Sequence, residues 1–161
     1  IIVKEEETIG KSIKRKNIII LRDPYNMFAS QYYHYNSSLK NLPKFDTYVN
    51  LWKSYAKEFL NIENNIKENK ITINFNEWFR NIEYRKKISE KLEVSFTDKG
   101  LNKVSDKGKG STFDGLSFNN NAQNMKVLER WKTITNTEFY KCLRCDKELN
   151  DLSETIFGKI S

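Results

Sequence analysis

The stretch Asn17 to Leu21, NIIIL, runs without a polar break straight into Arg22, Asp23 and Pro24. This junction constrains the fold more than any other part of the chain. A continuous β-branched run suits a strand buried on both faces, as in a parallel sheet flanked by helices. Asp23 is a good N-cap. Pro24 is a good first helical residue, because proline has no N–H to lose there and its φ is already helical. The sequence therefore predicts a strand that ends on an arginine and turns at once into a helix, Pro24 to about Tyr35, with Met27, Phe28, Tyr32 and Tyr35 near helical spacing.

Around that junction, Ile1 to Val3 read as a short buried strand and Glu5 to Lys16 as a polar helix or loop. Ser37 to Phe45 is a loop signalled by Ser, Asn and Pro. Asp46 to about Glu68 reads as a long helix with an apolar stripe of Val49, Trp52, Ala56, Phe59, Leu60 and Ile66. A second strand is expected at Lys70 to Phe75 and a helix at Tyr84 to Val94. The segment 97–115 is irregular, with four glycines among lysines and small polar residues. Ala122 to Ile134 and Thr137 to about Phe157 read as helical, ending at Gly158, a natural C-cap. This order predicts an α/β fold with a parallel sheet, in which ligands bind beyond the carboxyl ends of the strands. Arg22 lies at such an end.

At 161 residues the chain fits one domain, and its opening inside an apolar run without an initiator Met reads as the C-terminal portion of something longer. With 38% hydrophobic and 30% charged residues it is globular rather than disordered. No apolar run approaches the ~18 residues of a membrane span, and no signal peptide opens the chain, so a cytoplasmic location is expected. The net charge of +7 favours a polyanionic or phosphorylated partner, although a basic surface for solubility explains it equally well. Cys142 and Cys145 form a lone C-x-x-C on a helical segment and read as two reduced thiols. A zinc site needs two more ligands, and His34, the only histidine, cannot complete one; no metal is expected.

Ser30 follows Pro24 by six residues, about 9 Å along a helix, within the combined reach of an arginine side chain and one phosphate group. Arg22 and Ser30 then grip one phosphate from the strand end and the helix flank. The alternative from spacing alone is that Arg22 pairs with Asp23 or a helix terminus while Ser30 only packs. In the late loop, glycines let backbone N–H groups approach an anion closely, and Lys107 and Lys109 add positive potential. A flexible lysine-rich surface loop is the competing reading.

The stretch IIILRDPYNMFASQYYHY resembles the sulfotransferase segment that grips the 3′-phosphate of 3′-phosphoadenosine 5′-phosphosulfate. The likeness lies in an apolar strand, Arg-x-Pro, a serine eight residues after the arginine, then Tyr-Tyr-His. ITINFNEW is similar to the family's later strand, with Phe75 where tyrosine usually stands; the resemblance implies that Phe75 flanks the adenine. KGKGSTFDG resembles the loop that closes over the 3′-phosphate, which implies Lys107, Gly108, Lys109, Gly110 and Ser111 as donor-binding residues. The tail from Arg130 resembles bacterial-type enzymes acting on carbohydrates and other small acceptors. The family's 5′-phosphosulfate loop, similar to Pro-Lys-Ser-Gly-Thr, does not occur in this sequence. VKEEE has Lys4 and Glu6 where many members carry Lys-x-His, which implies Glu6 as the base that deprotonates the acceptor, with Glu5 and Glu7 as rivals. Three adjacent acids also suit a solvated helix N-terminus. His34, Trp52, Trp78, Trp131, Tyr32 and Tyr33 read as structural or as pocket walls.

The expectation is thus a P-loop NTPase-like α/β sulfotransferase moving a sulfuryl group from that donor to a hydroxyl or amine of a carbohydrate or small molecule. The alternative is a non-catalytic nucleotide- or polyanion-binding relative. A nucleic-acid binder is not expected; it would show steep salt dependence from counterion release.

Overall fold

The computed structural model describes residues 15–34, 45–106, 111 and 113–160. The elements are β1 (Asn17–Leu21), α1 (Pro24–His34), α2 (Phe45–Phe59), β2 (Lys70–Asn74), α3 (Phe75–Arg80), α4 (Ile82–Leu92), 3-10 turns at Ala122–Asn124 and Arg130–Ile134, α5 (Glu138–Cys145) and α6 (Lys147–Phe157). β1 and β2 pair in parallel, with Asn17 opposite Lys70 and Leu21 opposite Asn74. The result is a mixed α/β arrangement, mostly helical, around a small parallel sheet.

The junction after β1 forms as its residues dictate. The Asp23 carboxylate accepts from the Asn26 backbone N–H at 2.9 Å, capping α1, and Pro24 is its first residue. The expectation that β1 is buried on both faces is not met. Ile19 and Leu21 are buried, but Ile18 is 47% and Ile20 63% exposed. α2 packs on one face of the strand, and no described element covers the other. A run of isoleucines reads as doubly buried in sequence, yet burial follows the layers actually present.

The long helix expected to reach Glu68 stops at Phe59 instead. Asn61 takes a left-handed conformation, φ 60°, and the chain turns back on itself, the Ile62 N–H donating to Lys57 O at 2.9 Å. The second strand ends one residue earlier than expected, because Asn74 accepts from the Glu77 N–H and starts α3, with Phe75 as its first residue. Asn81 repeats the device for α4, accepting from the N–H groups of Glu83 and Tyr84. The region expected as helix over Ala122 to Ile134 holds only two short 3-10 turns. Thr137 to Phe157 is broken at Asp146, which caps α6 through the Leu149 N–H, and Gly158 at φ 73° closes that helix. The Ile1 to Val3 strand and the Ser37 to Lys44 loop lie outside the described residues, apart from which Phe45 opens α2.

Phe28, Trp52, Ile134, Phe139, Leu143 and Leu149 form the centre of one core, joining α1, α2, α5 and α6. An ion pair locks the turn after α2 to the start of β2. The buried Glu58 carboxylate accepts from Lys70 Nζ at 2.5 Å and from the N–H groups of Asn65 and Ile66. The bond to Lys70, helped by the two backbone donors and opposed by burial, holds its pKa at about 2, below the usual 4.5. A carboxylate depressed by folding contributes stability that is present above its unfolded pKa and lost as pH falls through the folded value. Thermal unfolding should therefore show wild type and Glu58→Gln furthest apart in Tm at about pH 6 and converging towards about pH 2. A gap that does not change with pH contradicts this assignment.

Candidate functional site

The carboxyl end of β1 opens onto a cluster drawn from four parts of the chain. Arg22 leaves the strand with its carbonyl held by Trp52 Nε1 at 3.0 Å. Its guanidinium lies over the Phe75 ring, 5.4 Å from the centroid, and donates through Nη2 to the Val127 carbonyl. Phe75 is stacked in turn against Trp78 and Phe79, so the first turn of α3 presents an aromatic platform to the arginine. Burial pushes the Arg22 pKa down to about 10, Asp23 working against the fall and the charge of Arg130 adding to it. It remains cationic at neutral pH.

Asp23 is fully buried and does not spend its carboxylate on an ion pair with Arg22. It accepts from the Asn26 side-chain amide at 3.0 and 3.1 Å and from the Asn76 amide at 2.9 Å. Asn26, also fully buried, donates to Leu128 O and accepts from the Trp131 N–H, both at 3.1 Å. This network fixes the end of β1, α1, α3 and the segment before the 130–134 turn as one frame. Buried polar groups satisfied in this way specify a single arrangement.

The frame sets Arg130 in place. Arg130 is 6% exposed, and its guanidinium donates through Nη1 to Ser30 Oγ at 2.9 Å. Through Nη2 it donates to Ser111 Oγ at 3.0 Å and to Asp114 at 2.6 Å. Its carbon also sits 4.8 Å from the centre of the Phe113 ring. Ser30 Oγ donates to the Asn26 carbonyl one turn back while accepting from Arg130. Ser111 and Gly115 pair through both backbone bonds, closing a turn in which Gly115 has φ 57°, a conformation that favours glycine. Both Arg22 Nε and Arg130 Nε are buried without a hydrogen-bond partner among the described residues. Two guanidinium groups close enough for their charges to interact thus each carry an orphaned buried donor.

The residues expected from sequence therefore divide. Arg22, Ser30, Phe75 and Ser111 lie at this cluster, with Arg130 joining Ser30 to Ser111. Lys4, Glu6, Lys107, Gly108, Lys109 and Gly110 lie outside the described residues. Asn26, Asn76, Asp114 and Arg130 were not picked out by sequence reasoning. For Arg130 the only signal was one of two cations flanking Trp131 after the glycine-rich loop, which looks like any surface arginine. Cys142 and Cys145 are exposed free thiols on α5. No group of three metal-ligating side chains occurs among the described residues, and none of their helices is long and apolar enough to cross a membrane.

Fold and site together define a mixed α/β protein with a two-arginine, two-serine cluster at the carboxyl end of a parallel strand. Comparison with protein-family models, curated proteins and solved structures found no significant match.

Proposed function

We propose that this chain forms the 3′-phosphate-gripping part of a sulfotransferase of P-loop NTPase-like fold that uses 3′-phosphoadenosine 5′-phosphosulfate. The acceptor is a hydroxyl or amine of a carbohydrate or small molecule. One observation carries the reading: Arg130 bonds both Ser30, from the Arg-x-Pro helix, and Ser111, from the glycine-rich loop, beside Arg22. These are the two segments whose resemblance implies a shared phosphate. The donor's 3′-phosphate fits the chemistry present, since two guanidinium groups have Nε–H donors unpaired among the described residues and two hydroxyls meet on Arg130.

When bound, the donor supplies the activated sulfuryl group. The acceptor oxygen or nitrogen attacks sulfur, the bond from sulfur to the adenylyl phosphate oxygen breaks, and the acceptor's proton passes to a base, for which Glu6, two residues after Lys4 in sequence, is the candidate, with Glu5 and Glu7 as rivals. Arg22, Ser30, Ser111 and the 107–110 stretch orient the donor, with Phe75 against its adenine. Positioning and charge neutralisation supply most of the acceleration in such transfers. An open cavity of about 590 Å³ bordered by Phe79, whose ring stacks on Phe75, and by Arg80, Arg85, Met125, Lys126 and Leu128 offers room for an acceptor.

The test is calorimetric titration with adenosine 3′,5′-bisphosphate and, in parallel, adenosine 5′-monophosphate. The bisphosphate should bind at least about tenfold more tightly, the worth of one charge-assisted contact to the 3′-phosphate. Equal affinity, or binding that collapses with salt as for a polyanion, contradicts the reading.

A further inference from the structure

Asp114 stands on Arg130 as a phosphate would. We propose that its carboxylate is an internal surrogate for the ligand's anion, displaced from Arg130 on binding, so that only a phosphomonoester dianion competes well for the site. This rests on the reading of the cluster as a phosphate site. Four observations carry it. The Asp114 carboxylate takes Arg130 Nη2 at 2.6 Å, the shortest contact that guanidinium makes. The turn is built to aim it there: Ser111 Oγ accepts from the N–H groups of Phe113 and Asp114, and the Ser111–Gly115 pair closes the turn behind them. Arg130 Nε and Arg22 Nε stay unpaired among the described residues, so one carboxylate leaves the two guanidinium groups under-used. Finally, Arg130 lies near enough to Arg22 for its charge to act on it, while the Asp114 carboxylate accepts from Arg130 and, at 3.4 Å, from Ser111 Oγ, and forms its ion pair with Arg130.

The chemistry then sets the selectivity. A carboxylate brings one charge and two oxygens, whereas a phosphomonoester brings nearly two charges and three oxygens. The latter satisfies more of the two forks at once, and arginine forks match carboxylate and phosphate geometry alike. Monoanions must compete with a tethered equal, and tethering gives Asp114 a high effective concentration.

The experiment compares wild type, Asp114→Asn and Asp114→Glu in calorimetric titrations with inorganic phosphate and with adenosine 3′,5′-bisphosphate, with and without acetate. Asp114→Asn should bind both phosphates about tenfold more tightly, the worth of the charge-assisted bond no longer displaced, and acetate should now compete. Asp114→Glu keeps the charge and should stay near wild type, which separates a charge effect from damage to the turn. Unchanged or weaker binding by Asp114→Asn, beside a wild type that prefers the bisphosphate, overturns the surrogate role and leaves the phosphate site standing. If the bisphosphate is not preferred, the donor reading fails. Inorganic phosphate then still decides: binding gained by Asp114→Asn supports the surrogate, and no gain overturns it.

Discussion

Phe28→Ala should lower the unfolding free energy by about 3 to 5 kcal/mol, the range for truncating a fully buried phenylalanine. Phe28 has no exposed surface and meets the rings of Phe45 and Phe139 edge-on at 5.9 and 6.5 Å. It sits on α1, whose residues Asn26 and Ser30 belong to the cluster around Arg130. The loss is cavity formation plus lost transfer free energy, since rings from α2 and α5 pack against this one and cannot fully close on the gap. Urea unfolding measures it. A loss below about 1 kcal/mol would mean that the site collapses freely and that α1 is not the hub of this core.

Arg22→Ala should weaken binding of adenosine 3′,5′-bisphosphate by about 1.5 to 3 kcal/mol, roughly 10- to 150-fold, the scale of hydrogen bonds to a charged group. The side chain also holds the Val127 carbonyl and covers Phe75, so truncation costs some stability as well. Arg22→Lys separates the two effects: it keeps the charge and loses the planar fork, and should recover only part of the affinity. Calorimetry on both variants checks this, and an alanine variant that binds as tightly as wild type removes Arg22 from the site.

What was legible in the sequence was the local chemistry at the end of β1. Asp23 and Pro24 specify a capped helix start by their own side chains, and the strand, the turn and α1 follow as read. A parallel sheet was likewise implied by two apolar runs separated by two helices, and NIIIL and KITIN do pair in parallel. Burial was not legible, because Ile18 and Ile20 look the same in sequence whether or not a layer covers them. The end of α2 escaped because Asn61 breaks the helix by its backbone conformation, against an apolar stripe that continues to Ile66. The site was half legible. Arg22 and Ser30 share a short motif, whereas Arg130 reaches Ser30 across the fold, and no local pattern announces an arginine whose partners come from other segments. Asn26 and Asn76 were invisible for the same reason: a buried asparagine shows its role only through what it bonds.

In the proposed donor site Arg22 and Arg130 together take one 3′-phosphate. This is tested most directly by following the arginine Nε–Hε signals by NMR, assigned through Arg22→Lys and Arg130→Lys, during titration. With adenosine 3′,5′-bisphosphate both signals should shift together along one saturating curve, and adenosine 5′-monophosphate should leave them nearly unmoved. Signals that stay still while the nucleotide binds, or that move equally with the 5′-monophosphate, contradict the account.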